Sequence, residues 1–436
     1  MNSFLFKRID NAGLILFRIF FGILINLECY GALLTGWVKR ILVDPKFTFT
    51  FIGFEWLSVF TGSGMYAYFF CMGTLGILIA LGYKYRFAMC TFTLMWAGVY
   101  LMQKTAYNNH YYLLLLIAGI LCFFPANAAY SLDAKYNPKL RSNTMYTYFK
   151  WIIVLQLCII YTFASVAKLY ADWLDFGFIK ILMQGKANYI LIGGLLQEPW
   201  VHQVVAVFGI LFDFLITPAL LWKPTRKIAF LIAIFFHLFN SIVFQIGIFP
   251  YLALAFTVFF FEPQTLRKIF LKKELNYPKV NLKKPKLKNL MVTGWIVYFI
   301  FQIGLPIRHH FFTDAVVWTE EGHRLSWRMM LRTRGGTISF TTLNKKNKER
   351  KQINLADYLT KKQQRRVSSY PDFIWQFAQH LKQEALDKNE EVSVFVRASV
   401  SINGKPFAPF IDPTVDLANE EWHHFKHHSW ILPSGY

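Results

Sequence analysis

The chain has 436 residues, of which 55% are apolar, 18% aromatic and only 17% charged, with a mean hydropathy of +0.33. Soluble domains carry about 25% charged residues, so this composition excludes a disordered protein, a coiled coil and an ordinary cytosolic enzyme. The net charge is +22, yet residues 307–436 hold 19 basic against 14 acidic side chains, so most of the excess lies between the apolar runs of residues 1–306. That is the charge of membrane-flanking loops and not of a nucleic-acid surface. The expected architecture is a polytopic α-helical membrane domain over 1–306, followed by an exported, mixed β-rich (α+β) domain over 307–436.

A membrane helix needs about 20 mostly apolar residues, because only a closed backbone hydrogen-bond ladder survives in hydrocarbon. In chain order the candidate spans are 12–34, 66–82, 87–102, 109–125, 148–167, 202–222, 228–247, 249–262 and 290–306. The shorter ones read as tilted, interfacial or re-entrant, and the pair flanking Gly247–Pro250 reads as one broken helix. Pro125, Pro218 and Pro250 mark helix ends or kinks. Span one retains Arg18 and Glu28 and lacks a small-residue cleavage site, so it is expected to stay as an anchor.

Sidedness follows from the short basic loops. Lys7 and Arg8, Lys84 and Arg86, then Lys135, Lys139, Arg141 and Lys150 fall on one side of nine crossings. So do Lys223, Arg226 and Lys227, and the run Arg267, Lys268, Lys272, Lys273, Lys279, Lys283, Lys284, Lys286 and Lys288. This puts the N-terminus in the cytoplasm and residues 307–436 outside. Lys39, Arg40 and Lys46 lie on the opposite side and go against the pattern. The five cysteines lie in or beside apolar spans, so no disulfide framework is expected in the exported domain. The sequence has no Asn-x-Ser/Thr acceptor site, in keeping with a bacterial cytoplasmic membrane.

Beyond the last span, Thr337–Leu343 and Val392–Ile402 alternate as strands do, and Asn403-Gly404 is a hairpin-turn pair. Pro371–Leu386 has helical periodicity through Phe373, Phe377 and Leu381. The Lys- and Arg-rich segment 345–366 reads first as a solvated face, with an acidic peptide or lipid headgroups as other occupants.

Ionisable side chains at membrane depth are functional candidates by default. Lys168 follows span five near its outer end; it reads either as a snorkelling lysine or as a desolvated amine able to serve as a general base. His110 opens span four in Asn108-Asn109-His110-Tyr111-Tyr112, and His237 lies in the middle of span seven. A lone helical histidine is more often a packing residue, but two histidines and a lysine on spans that converge are harder to set aside. Tyr161 precedes Lys168 by seven residues, two turns on one helix face. Asp213, Arg18 and Glu28 read as structural partners. The cluster His423-His424-Phe425-Lys426-His427-His428 reads as surface loop and not as a metal site, since no carboxylate or cysteine stands at zinc spacing. Phosphate-loop, dinucleotide, zinc-protease and serine-hydrolase motifs are absent from the sequence.

Several short stretches, in order, resemble the vitamin K-dependent gamma-glutamyl carboxylases. They are Asn108–Leu113, Pro125–Asp133, Lys168-Leu169-Tyr170-Ala171-Asp172-Trp173 and Phe236–Ser241, then Ser326-Trp327-Arg328-Met329-Met330, Phe410–Pro413 and Ser429-Trp430. The resemblance spans about the whole chain and includes the membrane segment called the HTTM domain. It implies an enzyme that uses O2 to convert a reduced vitamin K hydroquinone, of the phylloquinone or menaquinone type, to its epoxide. The strong base formed on the way removes a glutamate γ-proton, and the carbanion captures CO2 on an exported protein or peptide, without metal or biotin. By this resemblance Lys168 is the base that deprotonates the quinol, and Asn109 and His110 hold the quinol oxygens. Tyr161, His237, His309, Met329 and Met330 line or support the quinone pocket.

The sequence also departs from the family. Ala167 precedes Lys168 where animal members have a second lysine, and Gly322-His323-Arg324-Leu325 replaces a tyrosine-rich stretch. Arg332 stands in place of a histidine, the outer cysteines are missing, and the chain stops soon after Ser429-Trp430. Quinol oxidation without protein carboxylation is one rival reading. A transport or envelope-assembly protein is another, although the paired half-repeats of many transporters are not evident.

Overall fold

The computed structural model describes residues 2–271 and 287–434. The basic residues Lys272, Lys273, Lys279, Lys283, Lys284 and Lys286 therefore lie outside the described residues. Each of the nine expected apolar segments contains a helix: α1 (Ala12–Leu34), α2 (Gly64–Leu81), α3 (Tyr85–Met102), α4 (Asn109–Phe123), α5 (Thr147–Val166), α6 (Pro199–Leu221), α7 (Arg226–Phe244), α8 (Phe249–Phe256) and α9 (Lys288–Ile307). Six of them, α1, α2, α5, α6, α7 and α9, are long and apolar enough to cross a membrane; α4 and α8 are shorter apolar helices. Pro250 sits in the first turn of α8, where a missing N–H costs nothing, and Pro218 lies in the last turn of α6. Gln245 (φ 53) and Gly247 (φ 63) break the chain between α7 and α8.

Small residues let α1 and α2 touch backbone to backbone, as membrane helices without a hydrophobic drive between them must. A Cβ on Gly22 would lie 2.4 Å from the Ala80 nitrogen, and one on Gly76 would lie 2.9 Å from the Gly22 oxygen. Arg18 and Glu28 are not partners of each other. The fully buried Arg18 guanidinium donates to the carbonyls of Ala80, Ala126, Ala129 and Tyr130, and Glu28 accepts from the Tyr111 hydroxyl at 2.6 Å. Polar side chains also tie α9 to the bundle. Tyr298 donates to Gln156 (2.7 Å), Gln156 to Gln302 (3.3 Å), and Gln302 to Tyr112 (3.1 Å).

The C-terminal region is mixed, as expected. Apart from the short pair β1 (Arg8–Asp10) and β2 (Thr144–Tyr146) beside the helices, the strands lie here: an antiparallel sheet of order β4 (Arg350–Ile353), β3 (Arg334–Asn344), β5 (Val392–Ile402) and β6 (Ala408–Pro409) packs against α10 (Pro371–Leu386). Along β5 burial alternates strictly, with Val394, Val396 and Val400 facing a core that also holds Phe340, Phe373 and Phe377. Asn403 and Gly404 both take positive φ, giving the turn after β5 that their sequence suggested.

The loop after α1, which broke the charge pattern, docks onto this region. Phe49 is fully buried with its ring 4.7 Å from Phe373, Gln363 donates to the Phe47 carbonyl, and Lys46 donates to the Asp357 carbonyl. The loop and the C-terminal region therefore lie on the same side of the helices, and Lys46 has a local partner there. Phe49→Ala should lower stability by about 3–5 kcal/mol in denaturant unfolding of the solubilised protein; a loss below about 1 kcal/mol would mean that the loop does not hold the two parts together.

Candidate functional site

The end of α5 places Lys168 at the mouth of an apolar cavity of 340 Å³, closed by α6, α7, α8 and the segment around Met329 and Met330. Two helical turns separate Tyr161 from Lys168, so both reach the same chamber. The lysine stem folds back, and Nζ donates to the Ala164 carbonyl (3.1 Å) and to Asp213 Oδ2 from α6. Both side chains are more than nine-tenths buried. The Nζ also lies 5.4 Å from the centre of the Trp173 ring, a cation–π distance. Tyr161 and His237 Nε2 hydrogen-bond at 3.2 Å. Val204, Leu195, Trp200 and Phe235 line the cavity and are exposed on the outside of the bundle. The chamber thus opens sideways between α6 and α7, where hydrocarbon would lie.

A second cavity of 210 Å³ has the opposite character. Lys104, Arg324, Arg328, Arg332 and Arg366 line it together with Glu320. Asp372 at the start of α10 binds Lys104 (2.6 Å) and Arg324 (2.8 Å), and Glu320 binds Arg332 and Arg334. Burial alone would push the Asp372 carboxyl up, but Arg324 and Lys104 outweigh it and hold it at about 2. Burial and the surrounding arginines push the His323 imidazole well below its usual range, so it stays neutral and can accept from Arg332 at 2.8 Å. Arg328 has no carboxylate partner among the described residues; its Nη1 lies 3.4 Å from His309 Nε2 and its Nε is unpartnered. Arg366 donates to the Tyr370 hydroxyl at 2.7 Å and has no carboxylate partner among the described residues.

His110, Met329 and Met330 line both cavities and so form the wall between them. That wall is built on strained backbone: Leu325 (φ 60), Trp327 (φ 56) and Met330 (φ 51) all lie in the left-handed region, at about 1–3 kcal/mol each. Contacts from several elements hold it. Trp327 is buried and stacks on Tyr112 at 4.9 Å, and the Tyr107 hydroxyl accepts from the Leu325 N–H (2.8 Å). Asn109 donates to the Arg328 carbonyl (3.0 Å), and Tyr170 donates to the carbonyl of Leu331.

Of the residues singled out in the sequence, Lys168, Tyr161, His110, Met329 and Met330 converge on the apolar cavity. His237 stands behind Tyr161 and outside the lining. Asn109 lines only the cationic cavity; its oxygen accepts from Tyr107 (2.9 Å) and its amide holds Arg328. His309 lines neither cavity and bonds the Pro306 carbonyl at 2.7 Å. The histidine cluster is partly interior: His427 and His428 both bind Glu321, and His428 stacks on Trp422. Sequence reasoning missed Asp213 as the partner of Lys168, and it missed the whole cationic chamber. Arg366, read as part of a solvated face, lines that chamber.

Residues 6–264 match the HTTM domain model, and residues 287–435 match the model described as the vitamin K-dependent gamma-carboxylase lumenal domain. The second match takes in α9. These matches define an HTTM membrane protein joined to a carboxylase lumenal domain, and the chain belongs to the vitamin K-dependent gamma-carboxylase family. No solved structure matches it.

The cationic chamber generates a stability prediction. An unfolded aspartate titrates near 4, and the folded Asp372 carboxyl lies at about 2. Its contribution is thus complete above about pH 4 and is lost as pH falls from about 4 to about 2. Asp372→Asn strands Lys104 and Arg324 and should cost about 3–5 kcal/mol near neutrality in chemical unfolding. A variant as stable as the parent at pH 7 would contradict this reading.

Proposed function

We propose that the protein is a gamma-carboxylase. It couples O2-dependent epoxidation of a reduced vitamin K hydroquinone to addition of CO2 at the γ-carbon of a glutamate in an exported protein or peptide. One observation carries this reading: a lipid-facing apolar chamber containing a lysine shares a wall with a cationic chamber in which Arg328 and Arg366 have no carboxylate partner among the described residues. The first fits a greasy aromatic diol, with an unpartnered Nδ1 on His110 able to meet a ring oxygen. The second fits a carboxylate, which arginine forks bind bidentately. When bound, the reduced quinone supplies, with O2, the driving force for removing a weakly acidic γ-proton.

The chain's own residues do the rest. Lys168 takes a hydroxyl proton at Nζ. His110 orients the ring from the shared wall, and Tyr161, held by His237, closes the inner side. Arg328 and Arg366 hold the glutamate carboxylate on the far side of Met329 and Met330. The aromatic and aliphatic lining excludes water, which would otherwise quench a carbon base. Asn109 contributes by fixing the wall. The C-terminal region then lies outside the membrane with the peptide, and the helices lie in a bacterial inner membrane.

The test uses purified protein in lipid nanodiscs with reduced vitamin K, labelled bicarbonate and a Glu-containing peptide. Epoxide and fixed label should appear together; epoxide without label would leave a quinol epoxidase. Lys168→Ala and Lys168→Arg should each lower epoxide formation by about 10²–10⁴-fold, because arginine stays protonated and cannot accept the proton. Turnover within about tenfold of the parent in either variant would remove Lys168 from the chemistry. Arg328→Gln should raise the KM for the peptide by about tenfold or more, the scale of one lost charged hydrogen bond, with epoxide still formed. An unchanged KM would place the carboxylate elsewhere.

A further inference from the structure

The apolar chamber holds a second ionisable group in direct contact with Lys168. Asp213 is the only carboxylate among the described residues lining it, and it accepts a hydrogen bond from Lys168 Nζ. A carboxylate in such a place costs several kcal/mol unless a cation neutralises it. A lysine held in this way has beside it a carboxylate that can take one of its protons. Nζ offers three donors; Ala164 and Asp213 take two, which leaves one direction for a ligand in the cavity.

We propose that Asp213 is a positioning residue that receives the proton of Lys168, so that the two side chains work as a relay. This rests on the reading of Lys168 given above. A phenolic O–H docked at Lys168 breaks, its proton forms a new N–H bond at Nζ, and its electron pair stays on the phenolic oxygen. In the same event an N–H bond of Lys168 breaks, and that proton forms an O–H bond at Asp213 Oδ2. Before transfer the chamber holds an ammonium–carboxylate pair and a neutral phenol. Afterwards it holds an ammonium beside the phenolic oxygen anion, and a neutral carboxyl. Net charge is zero throughout, so no uncompensated ion is ever left in a low-dielectric site.

The other titratable groups facing the pair come from α4, α5 and α7. Tyr161 comes from α5, His110 from α4, and His237 from α7 through Tyr161. On the lysine's own loop, Asp172 is engaged with Lys405 (2.8 Å) and Asn403 (2.8 Å). None of these contacts Lys168 Nζ through a hydrogen bond among those described.

The test is infrared difference spectroscopy on the full chain in nanodiscs, without O2, on adding reduced menadione. A protonated-carboxyl C=O band should appear with the reduced compound and not with oxidised menadione. It should vanish in Asp213→Asn and persist, shifted, in Asp213→Glu. In parallel, epoxide formation by Asp213→Asn should climb with pH by about tenfold per unit, the slope of one proton lost to bulk water, while the parent stays flat. Asp213→Glu should restore the flat profile, which a purely structural role would not require. A band that survives in Asp213→Asn, no band in the parent, or a flat profile in Asp213→Asn would overturn the relay. If Lys168→Ala is inactive in these cases, only the relay falls; if it retains turnover, the assignment of the site itself falls.

Discussion

The structure turns on an ion pair set in grease. Lys168 and Asp213 approach from α5 and α6 inside a cavity walled by aliphatic and aromatic side chains, and each makes the burial of the other tolerable. Removing one member of such a pair generally costs about 3–5 kcal/mol, more than its presence contributes relative to a well-packed apolar pair. Stability alone is therefore a weak reason for its presence. A site in which a proton can move without creating net charge is a stronger one.

The second constraint is the wall. Left-handed backbone at Leu325, Trp327 and Met330 persists only because the surroundings determine it more than once. Those surroundings come from both parts of the molecule. Tyr107, Asn109 and Tyr112 belong to the helical half, and Asp372 draws Lys104 and Arg324 toward α10. The loop carrying Phe47 and Phe49 adds a further tie. The two cavities meet at a wall where the helices and the C-terminal region join, and neither part builds that wall alone. A lipid-borne ligand can enter from one side and a polar chain from the other.

Much of this was legible in the sequence, for identifiable reasons. Helical periodicity and apolar run length placed a helix in each of the nine apolar segments, six of them long and apolar enough to cross a membrane, because burial in hydrocarbon or protein leaves little choice of residue there. The helix Gly177–Gln184 was not among them. The strict alternation of Val392–Ile402 gave β5 to the residue, and Pro371 with its apolar spacing gave α10. Lys168, Tyr161 and His110 stood out because polar groups are rare at such depth. What stayed hidden depends on distance along the chain. Asp213 was noticed as an intramembrane acid, but a separation of 45 residues carries no sign of its partner. Lys104 and Asp372 lie 268 residues apart, and Arg366 sat in a run whose composition reads as solvated surface. The roles of Asn109 and His309 came from resemblance alone, and their partners Tyr107, Arg328 and Pro306 are distant or local contacts that carry no sequence signal.

The most direct test of the central claim is a cryo-EM structure of the protein in nanodiscs with a long-tailed vitamin K hydroquinone under anaerobic conditions. The account predicts ring density between Lys168 and His110, with the tail leaving between α6 and α7. A ring seated anywhere else, with the cavity beside Lys168 and Asp213 filled by lipid or side chains, would contradict it.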